Sequence, residues 1–239
     1  IWQQKTIFLA NQAEHKDPLC IQQILKKHPI TLLQGTPSFW NMLHYAGWSS
    51  NKHLVALCGG EPLTKQTAAH ILDNVSELWN MYGPTEATIW CSLKQIKPNT
   101  AITVGRPIHN MDMWILDAAM KPLPSGVKGE LYISGLGLAE GYLHREDLTK
   151  ASFKPYKQAQ GKRIYRTGDV ASMTPEGEFV ILGRVDNQVK LHGYRIELED
   201  IEAHIQSFSG VRSCGVLVYQ EQLIAYICTE ENADYSEEA

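Results

Sequence analysis

No apolar run in the 239 residues approaches the ~20 that a bilayer-spanning helix needs, so nothing here is read as a membrane segment. Cysteine is sparse: Cys20, Cys58, Cys91, Cys214 and Cys228 are odd in number, scattered, and form no CxxC or Cys/His cluster. None of the nine histidines makes an HxxxH pair. A disulfide framework and a structural zinc site are therefore not expected; free thiols in a reducing, cytoplasmic setting are. Charge of neither sign dominates, since 22 Lys and Arg face 26 Asp and Glu for a formal net charge of −4. That leaves no electrostatic footprint for nucleic acid or an anionic membrane, although local backbone donors suffice for a small anion. Internal repeats and low-complexity tracts are missing, as are an initiator Met and a signal-peptide pattern; the opening IWQQKTIFLANQ reads as part of something longer.

What is present is an ordinary soluble globular balance, 44% apolar and 20% charged, long enough for one or two domains. The first hundred residues alternate between strand and helix periods. KTIFLA (5–10), ITLLQ (30–34), HLVALC (53–58) and 75–81 read as strands. Asp17-Pro18 supplies an N-cap with Pro at the first helical position, and Leu19, Ile21, Ile24 and Leu25 give that helix an apolar face. Helices are also expected over 37–45 and from a Thr64 cap to about Asp73. Such alternation predicts a parallel sheet covered by helices. After about residue 100 short strands follow one another at 113–116, 130–134, 163–166 and 178–182, punctuated by Pro124-Ser125-Gly126 and Pro175-Glu176-Gly177, which predicts a β-rich, barrel-like part. Beyond Arg184 come a strand (188–192), a helix (197 to about 208) with an Ile201, Ile205 and Phe208 stripe, and strands at 214–219 and 222–228. The last ten residues read as a solvated, frayed end.

Two strand ends stand out. HLVALC runs into Gly59-Gly60-Glu61, and the strand at 75–81 runs into Tyr82-Gly83-Pro84-Thr85-Glu86. In open parallel sheets ligands bind beyond the carboxyl ends of strands. Paired glycines admit a close backbone approach, Tyr82 offers a flat ring, Thr85 a hydroxyl for a phosphate oxygen, and Glu86 a hard oxygen ligand for Mg²⁺. Together these suit a nucleotide. The same residues also make a good turn, and a Thr-Glu pair can cap a helix; both readings stay open on these residues alone. The glycines at 135, 137 and 141 are spaced GxGxxxG and are read as turn and packing residues, not as a dinucleotide fingerprint.

An ordered series of motifs resembles the adenylate-forming superfamily of acyl-CoA synthetases, luciferases and the adenylation domains of nonribosomal peptide synthetases. NMYGPTE (80–86) is followed by GELYISGLGLAEGYLHREDLT (129–149), YRTGDV (165–170) and GRVDNQVKLHGYRIELEDIEAHI (183–205), and ITLLQGTPSFW (30–40) also matches. Pro84 within YGPTE is the peptide-synthetase form. The resemblance implies an α/β adenylate-forming fold: a partial parallel sheet with helices and a β-rich subdomain (1–184, as 1–100 and 101–184), a hinge at 185–187, and part of a small α+β lid (188–239). It implies that Tyr82 stacks on adenine, with Asn80 at its edge and the Gly59-Gly60-Glu61 backbone opposite. Thr85 would contact the α-phosphate, Glu86 hold Mg²⁺, Asp169 accept from both ribose hydroxyls, and Arg184 reach the ribose. Asp186 would be the hinge. Lys190 would act in thioester formation. By position, Gln34, Leu57, Gly59, Met81, Ile89 and Trp90 would line the substrate pocket, which suits a small or medium neutral amino acid.

The implied activity is ATP-dependent conversion of an amino acid to its adenylate, then transfer to the phosphopantetheine thiol of a carrier domain, with condensation domains as further partners. Departures from the family pattern limit this. The Ser/Thr/Gly-rich phosphate loop, the amine-pairing Asp and the C-terminal lysine do not occur within these 239 residues, so the stretch alone is expected to form adenylate poorly. Ile181 stands where an aromatic residue often sandwiches adenine, and His192 where Arg is common. An acyl- or aryl-CoA ligase and a non-catalytic nucleotide-binding or docking module are the alternatives.

Overall fold

The computed structural model describes residues 6–49, 51–159, 163–191, 193–220 and 222–229. The expectations for His192 and for the last ten residues lie outside the described residues. The chain forms two units, Ile1–Gly183 and Arg184–Ala239.

In the first unit, helices α1 (Gln12–Lys16) and α2 (Pro18–Lys27) precede strand β1 (Leu32–Gly35), and α3 (Pro37–Tyr45) leads to β2 (Val55–Gly59). Helix α4 (Lys65–Leu72) then leads to β3 (Glu77–Tyr82), β4 (Ser92–Ile96) and β5 (Arg106–Pro107). Side-chain caps set the helix starts. The Asp17 carboxylate accepts from Leu19 N at 2.8 Å, Thr36 Oγ1 from Phe39 N at 3.2 Å, and Thr64 Oγ1 from Thr67 N at 3.0 Å. The sheet order is β1-β2-β3-β4-β5. The first three strands are parallel, as the alternation predicts, but β4 and β5 run antiparallel.

One face of this sheet and helices α2 to α4 enclose a core built on Leu25, Trp40, Leu43, Leu54, Ala56, Ile71 and Leu78. Two sequence expectations need correction here. Residues 6–10 are not a strand, and Ile7, Phe8 and Leu9 are exposed, because an apolar run without a neighbour to pair with gains nothing from extension. Leu19 is 57% exposed, so the buried face of α2 is Ile21, Gln22 and Leu25, with Ile24 packed partly against the core. The expected parallel part stands, and β4 and β5 add antiparallel strands to it, so the whole sheet is mixed.

The β-rich part contains β6 (Met111–Leu116), β7 (Gly129–Gly135), α5 (Glu146–Ser152), β8 (Phe153–Pro155), β9 (Arg163–Met173) and β10 (Phe179–Arg184). It is a sheet ordered β10-β9-β7-β6, with β8 on β9, antiparallel from β6 through β7 to β9 and β8. A second core, including Tyr82, Ala87, Cys91, Met111, Leu131, Ile133 and Phe179, fills the space between the two sheets. Backbone also crosses that junction: Val104 N–H donates to Phe179 O at 2.9 Å, and Phe179 N–H to Gly105 O at 2.8 Å. Beside it, Lys94 pairs with Glu178, whose other oxygen accepts from Thr103 Oγ1 at 3.0 Å. These contacts, Lys94 first, hold the Glu178 carboxyl below the usual range.

The second unit contains β11 (Val189–Leu191) and β12 (Tyr194–Ile196), an antiparallel pair, then α6 (Leu198–Gln206), β13 (Val211–Tyr219) and β14 (Gln222–Thr229). Helix α6 packs along β13, but its buried residue is Leu198. Phe208, expected on the apolar stripe, lies beyond the helix end and is 58% exposed.

Gly105 has φ +75°, and a Cβ there would stand 1.9 Å from Leu93 O. Gly105→Ala is expected to destabilise the first unit by roughly 3 kcal/mol, from a left-handed backbone plus an unyielding backbone clash. Denaturant unfolding checks this; an unchanged midpoint contradicts it.

Candidate functional site

Strand β3 alternates strictly, with Leu78, Asn80 and Tyr82 buried and Glu77, Trp79 and Met81 partly open, so neighbouring residues serve opposite faces of the sheet. At its end Gly83 starts a loop that returns at Cys91, whose N–H donates to Tyr82 O at 2.9 Å. Only glycine fits at 83, where a Cβ would meet Ile89 O at 2.4 Å. Within the loop Thr85, Glu86 and Ala87 form a 3₁₀ turn. Thr88 and Ile89 follow, both left-handed at φ 56° and 73°.

On the Tyr82 face, the Tyr82 hydroxyl donates to the Asp169 carboxylate, 87 residues away in sequence. Both are nearly enclosed, at 7% and 6% exposure. Burial, then the Asp169 charge, raises the Tyr82 hydroxyl well above the ordinary tyrosine range. A β-bulge aims Asp169. Tyr132 pairs with Arg166 and Glu130 with Val170, so residues 167–169 stand opposite Leu131 alone. Gly168 takes φ +75°, Thr167 Oγ1 donates to Leu131 O at 2.7 Å, and Asp169 N–H donates to that same hydroxyl at 3.0 Å. Ile181 packs partly buried against the apolar cluster that holds Tyr82. Asn80 lies two residues before Tyr82 on the same face, with its amide donating to Thr103 O at 2.8 Å.

Glu86 is buried too. Its Oε1 accepts from the Tyr142 hydroxyl at 2.6 Å, and its backbone carbonyl from Ala139 N–H at 2.8 Å. Arg163 braces the segment that carries these partners, donating to Glu140 O at 2.7 Å and Ala139 O at 3.0 Å. Thr88 Oγ1 also donates to Gly137 O at 2.6 Å. Burial, then the Glu86 hydrogen bond, pushes the Tyr142 hydroxyl up. Sequence reasoning misses Tyr142 and Arg163. Tyr142 lies inside the GELYISGLGLAEGYLHREDLT motif, but nothing local marks it as reaching back to Glu86. Thr85 is exposed at the loop surface.

On the opposite face of β3, strand register places Gln34 beside Leu57, Leu57 beside Trp79, and Gly59 beside Met81. The Trp90 ring covers Gly59: a Cβ there would meet Trp90 Cη2 at 2.6 Å and Met81 O at 2.6 Å. Five of the six expected pocket residues thus share one face, while Ile89 is 61% exposed. Gly60, at φ +91°, turns the chain so that Glu61 Oε2 accepts from Ser38 N at 3.0 Å and Ser38 Oγ at 2.7 Å, closing the N-terminus of α3.

Arg184, Asp186 and Lys190 belong to the second unit. Arg184 grips Asp186 through two hydrogen bonds, Nε to Oδ1 at 2.6 Å and Nη2 to Oδ2 at 2.8 Å, and so lowers its carboxyl pKa. Lys190 sits in β11 opposite Arg195 of β12.

Comparison with known proteins shows what the chain resembles. The AMP-binding enzyme family matches residues 4–143. A dimodular nonribosomal peptide synthase of Bacillus subtilis (strain 168) is 36% identical over 245 residues, covering 97% of this chain and 10% of that protein. Tyrocidine synthase 3 of Brevibacillus parabrevis is 37% identical over 243 residues, covering 97% of this chain and 4% of its own length. The chain therefore spans a tenth or less of these two relatives. Among solved structures, holo-AB3403, a four-domain nonribosomal peptide synthetase bound to AMP and glycine, superposes with TM-score 0.72 at 37% identity, covering 94% of this chain and 18% of that one. Holo-PA1221, with adenylation and PCP domains and a vinylsulfonamide inhibitor, gives TM-score 0.79 at 29% identity, covering 91% and 40%. The fold and the motif order thus converge with these relatives, and the chain belongs to the AMP-binding enzyme family as part of an adenylation domain of the nonribosomal-peptide-synthetase type.

Proposed function

We propose that this chain contributes the adenylate-binding face of a domain that activates an amino acid with ATP, within a larger cytoplasmic synthetase. The observation that carries this reading is the contact between Tyr82, at the end of β3, and Asp169, on the β9 bulge, one strand position from a separate, partly open face built by Gln34, Leu57, Gly59, Met81 and Trp90. Two faces on opposite sides of one strand suit a reaction between two substrates. A substrate carboxylate attacks the α-phosphorus, the bond to the bridging oxygen breaks, and pyrophosphate leaves. The acyl group then passes from the adenylate to a carrier domain's phosphopantetheine thiol, releasing AMP.

Little covalent work falls to the side chains; they align the nucleophile with the leaving group and stabilise charge. In this reading Asp169 accepts from the ribose hydroxyls, Tyr82, Ile181, Asn80 and the Gly59-Gly60-Glu61 backbone bound the base, and Thr85 meets the α-phosphate. Residues 185–187, with Asp186, serve as a hinge, Arg184 meets the ribose and Lys190 serves the thioester step. Glu86 fits Mg²⁺ by its chemistry: it is a hard oxygen donor held by Tyr142, and Mg²⁺ needs only one or two carboxylates beside substrate phosphates. Such an ion would neutralise phosphate charge. No cluster of three or more His, Cys, Asp or Glu suited to a metal occurs among the described residues, which fits that modest protein share.

The Trp90 ring over Gly59 shortens the pocket and favours a small or medium neutral amino acid. The glycine bound by a 37%-identical synthetase supports the same size class. Discrimination against one extra methylene amounts to only ~1–3 kcal/mol.

Calorimetric titration should detect AMP binding by the chain, weakened at least about tenfold by Asp169→Asn; no binding to the unsubstituted chain would overturn the reading. Glu86→Gln should leave metal-free AMP affinity unchanged but weaken Mn²⁺ uptake with ATP, read by electron paramagnetic resonance. Tyr142→Phe should weaken it by roughly 10-fold through the lost hydrogen bond to that ligand. In the complete synthetase, ATP–pyrophosphate exchange should favour neutral amino acids, and the isolated 239-residue stretch should exchange far more slowly. A clear preference for a charged amino acid, or equal rates, contradicts this.

A further inference from the structure

Resting on that reading, we infer that Tyr82 acts through its hydroxyl as the positioning residue for Asp169, fixing the carboxylate plane that meets the ribose. The ring is 7% exposed and packed in the apolar cluster with Ala87, Cys91, Met111 and Ile133, so most of its surface already faces protein. Its oxygen is the part aimed at a chemically distinct group. Asp169 sits on a bulge that sets its backbone through Thr167 and Leu131 but leaves the carboxylate's terminal torsion, which is broad and two-fold in Asp, to be set by its partners. The Tyr82 hydrogen bond is such a partner, and it comes from the other sheet, on the end of a strand held on both sides.

A buried carboxylate needs donors, and one approaching from a fixed direction selects one orientation. Burial and the Asp169 charge raise the Tyr82 hydroxyl above the ordinary tyrosine range, which favours the protonated, donating form. A ring that merely stacked on the base would work equally well as phenylalanine. A hydroxyl that orients Asp169 would not.

The experiment compares AMP with 2′,3′-dideoxy-AMP, titrated calorimetrically into the unsubstituted chain, Tyr82→Phe, Asp169→Asn and the double variant. The expected result is that Tyr82→Phe loses about tenfold in AMP affinity and most of the preference for AMP over the dideoxy analogue, while keeping its preference for AMP over GMP. The double variant should discriminate no worse than Asp169→Asn alone. Undiminished ribose discrimination in Tyr82→Phe overturns the positioning role while the nucleotide site stands. Failure of the unsubstituted chain to bind AMP sinks the site reading and this inference together. Should Tyr82→Phe not fold, the unsubstituted chain still decides: the Tyr82 ¹³Cζ resonance should move more with AMP than with the dideoxy analogue, and equal movement overturns the role.

Discussion

The contact between the Tyr82 phenol and the Asp169 carboxylate joins two sheets through the middle of the apolar cluster they share, while the Gly105–Phe179 backbone bridge and the Lys94–Glu178 pair join them beside it. Putting a carboxylate into that interface is costly unless a donor is in place. Much of the surrounding backbone serves that requirement. The bulge at 167–169 turns Asp169 inward, the returning loop closes on Tyr82 through Cys91, and the Gly105–Phe179 bridge keeps the sheets in step. Together these polar contacts make sheet placement directional, which apolar packing by itself does not.

The loop from Gly83 to Trp90 is under strain that its neighbours offset. Two adjacent non-glycine residues in the left-handed region cost of order 1–3 kcal/mol each, more for β-branched side chains such as Thr88 and Ile89. The Thr88 hydroxyl bond to Gly137, the Glu86 carbonyl bond from Ala139 and the Arg163 clamp behind it over-determine this conformation. The result delivers Glu86 to one side and the Trp90 ring to the other from a turn of a few residues. Strain of this kind at a loop between two candidate faces is consistent with a site whose geometry matters more than its local stability.

The sequence makes some of this readable and hides the rest for identifiable reasons. Helix α3 is visible because Thr36-Pro37 encodes its own start, β2 because a buried strand shows as an apolar run ending in glycine, and β3 because its large apolar residues run into Tyr82-Gly83-Pro84. Helix α1 carries a readable signal, the reciprocal Asn11–Glu14 capping box, but is too short for periodicity to reveal. IFLA looks like a strand because composition does not report whether a partner strand exists. The TGD bulge hides inside a motif that resembles a turn, although an isolated glycine in a strand pattern is itself a bulge signal. Nucleotide-side candidates are recognisable from YGPTE and YRTGD as residue types. That Tyr82 touches Asp169, and Tyr142 touches Glu86, depends on separations of 87 and 56 residues, which no local pattern encodes.

The alternation of β3 has a consequence for which changes in sequence the strand tolerates. Met81 and Tyr82 are consecutive yet project to opposite faces of the sheet, so a single pleat separates their surroundings. Exchanging the side chain at 81 alters one face and leaves the other in register. Inserting or deleting a single residue there would turn the strand inside out, carrying buried side chains to the open face and open ones into the core.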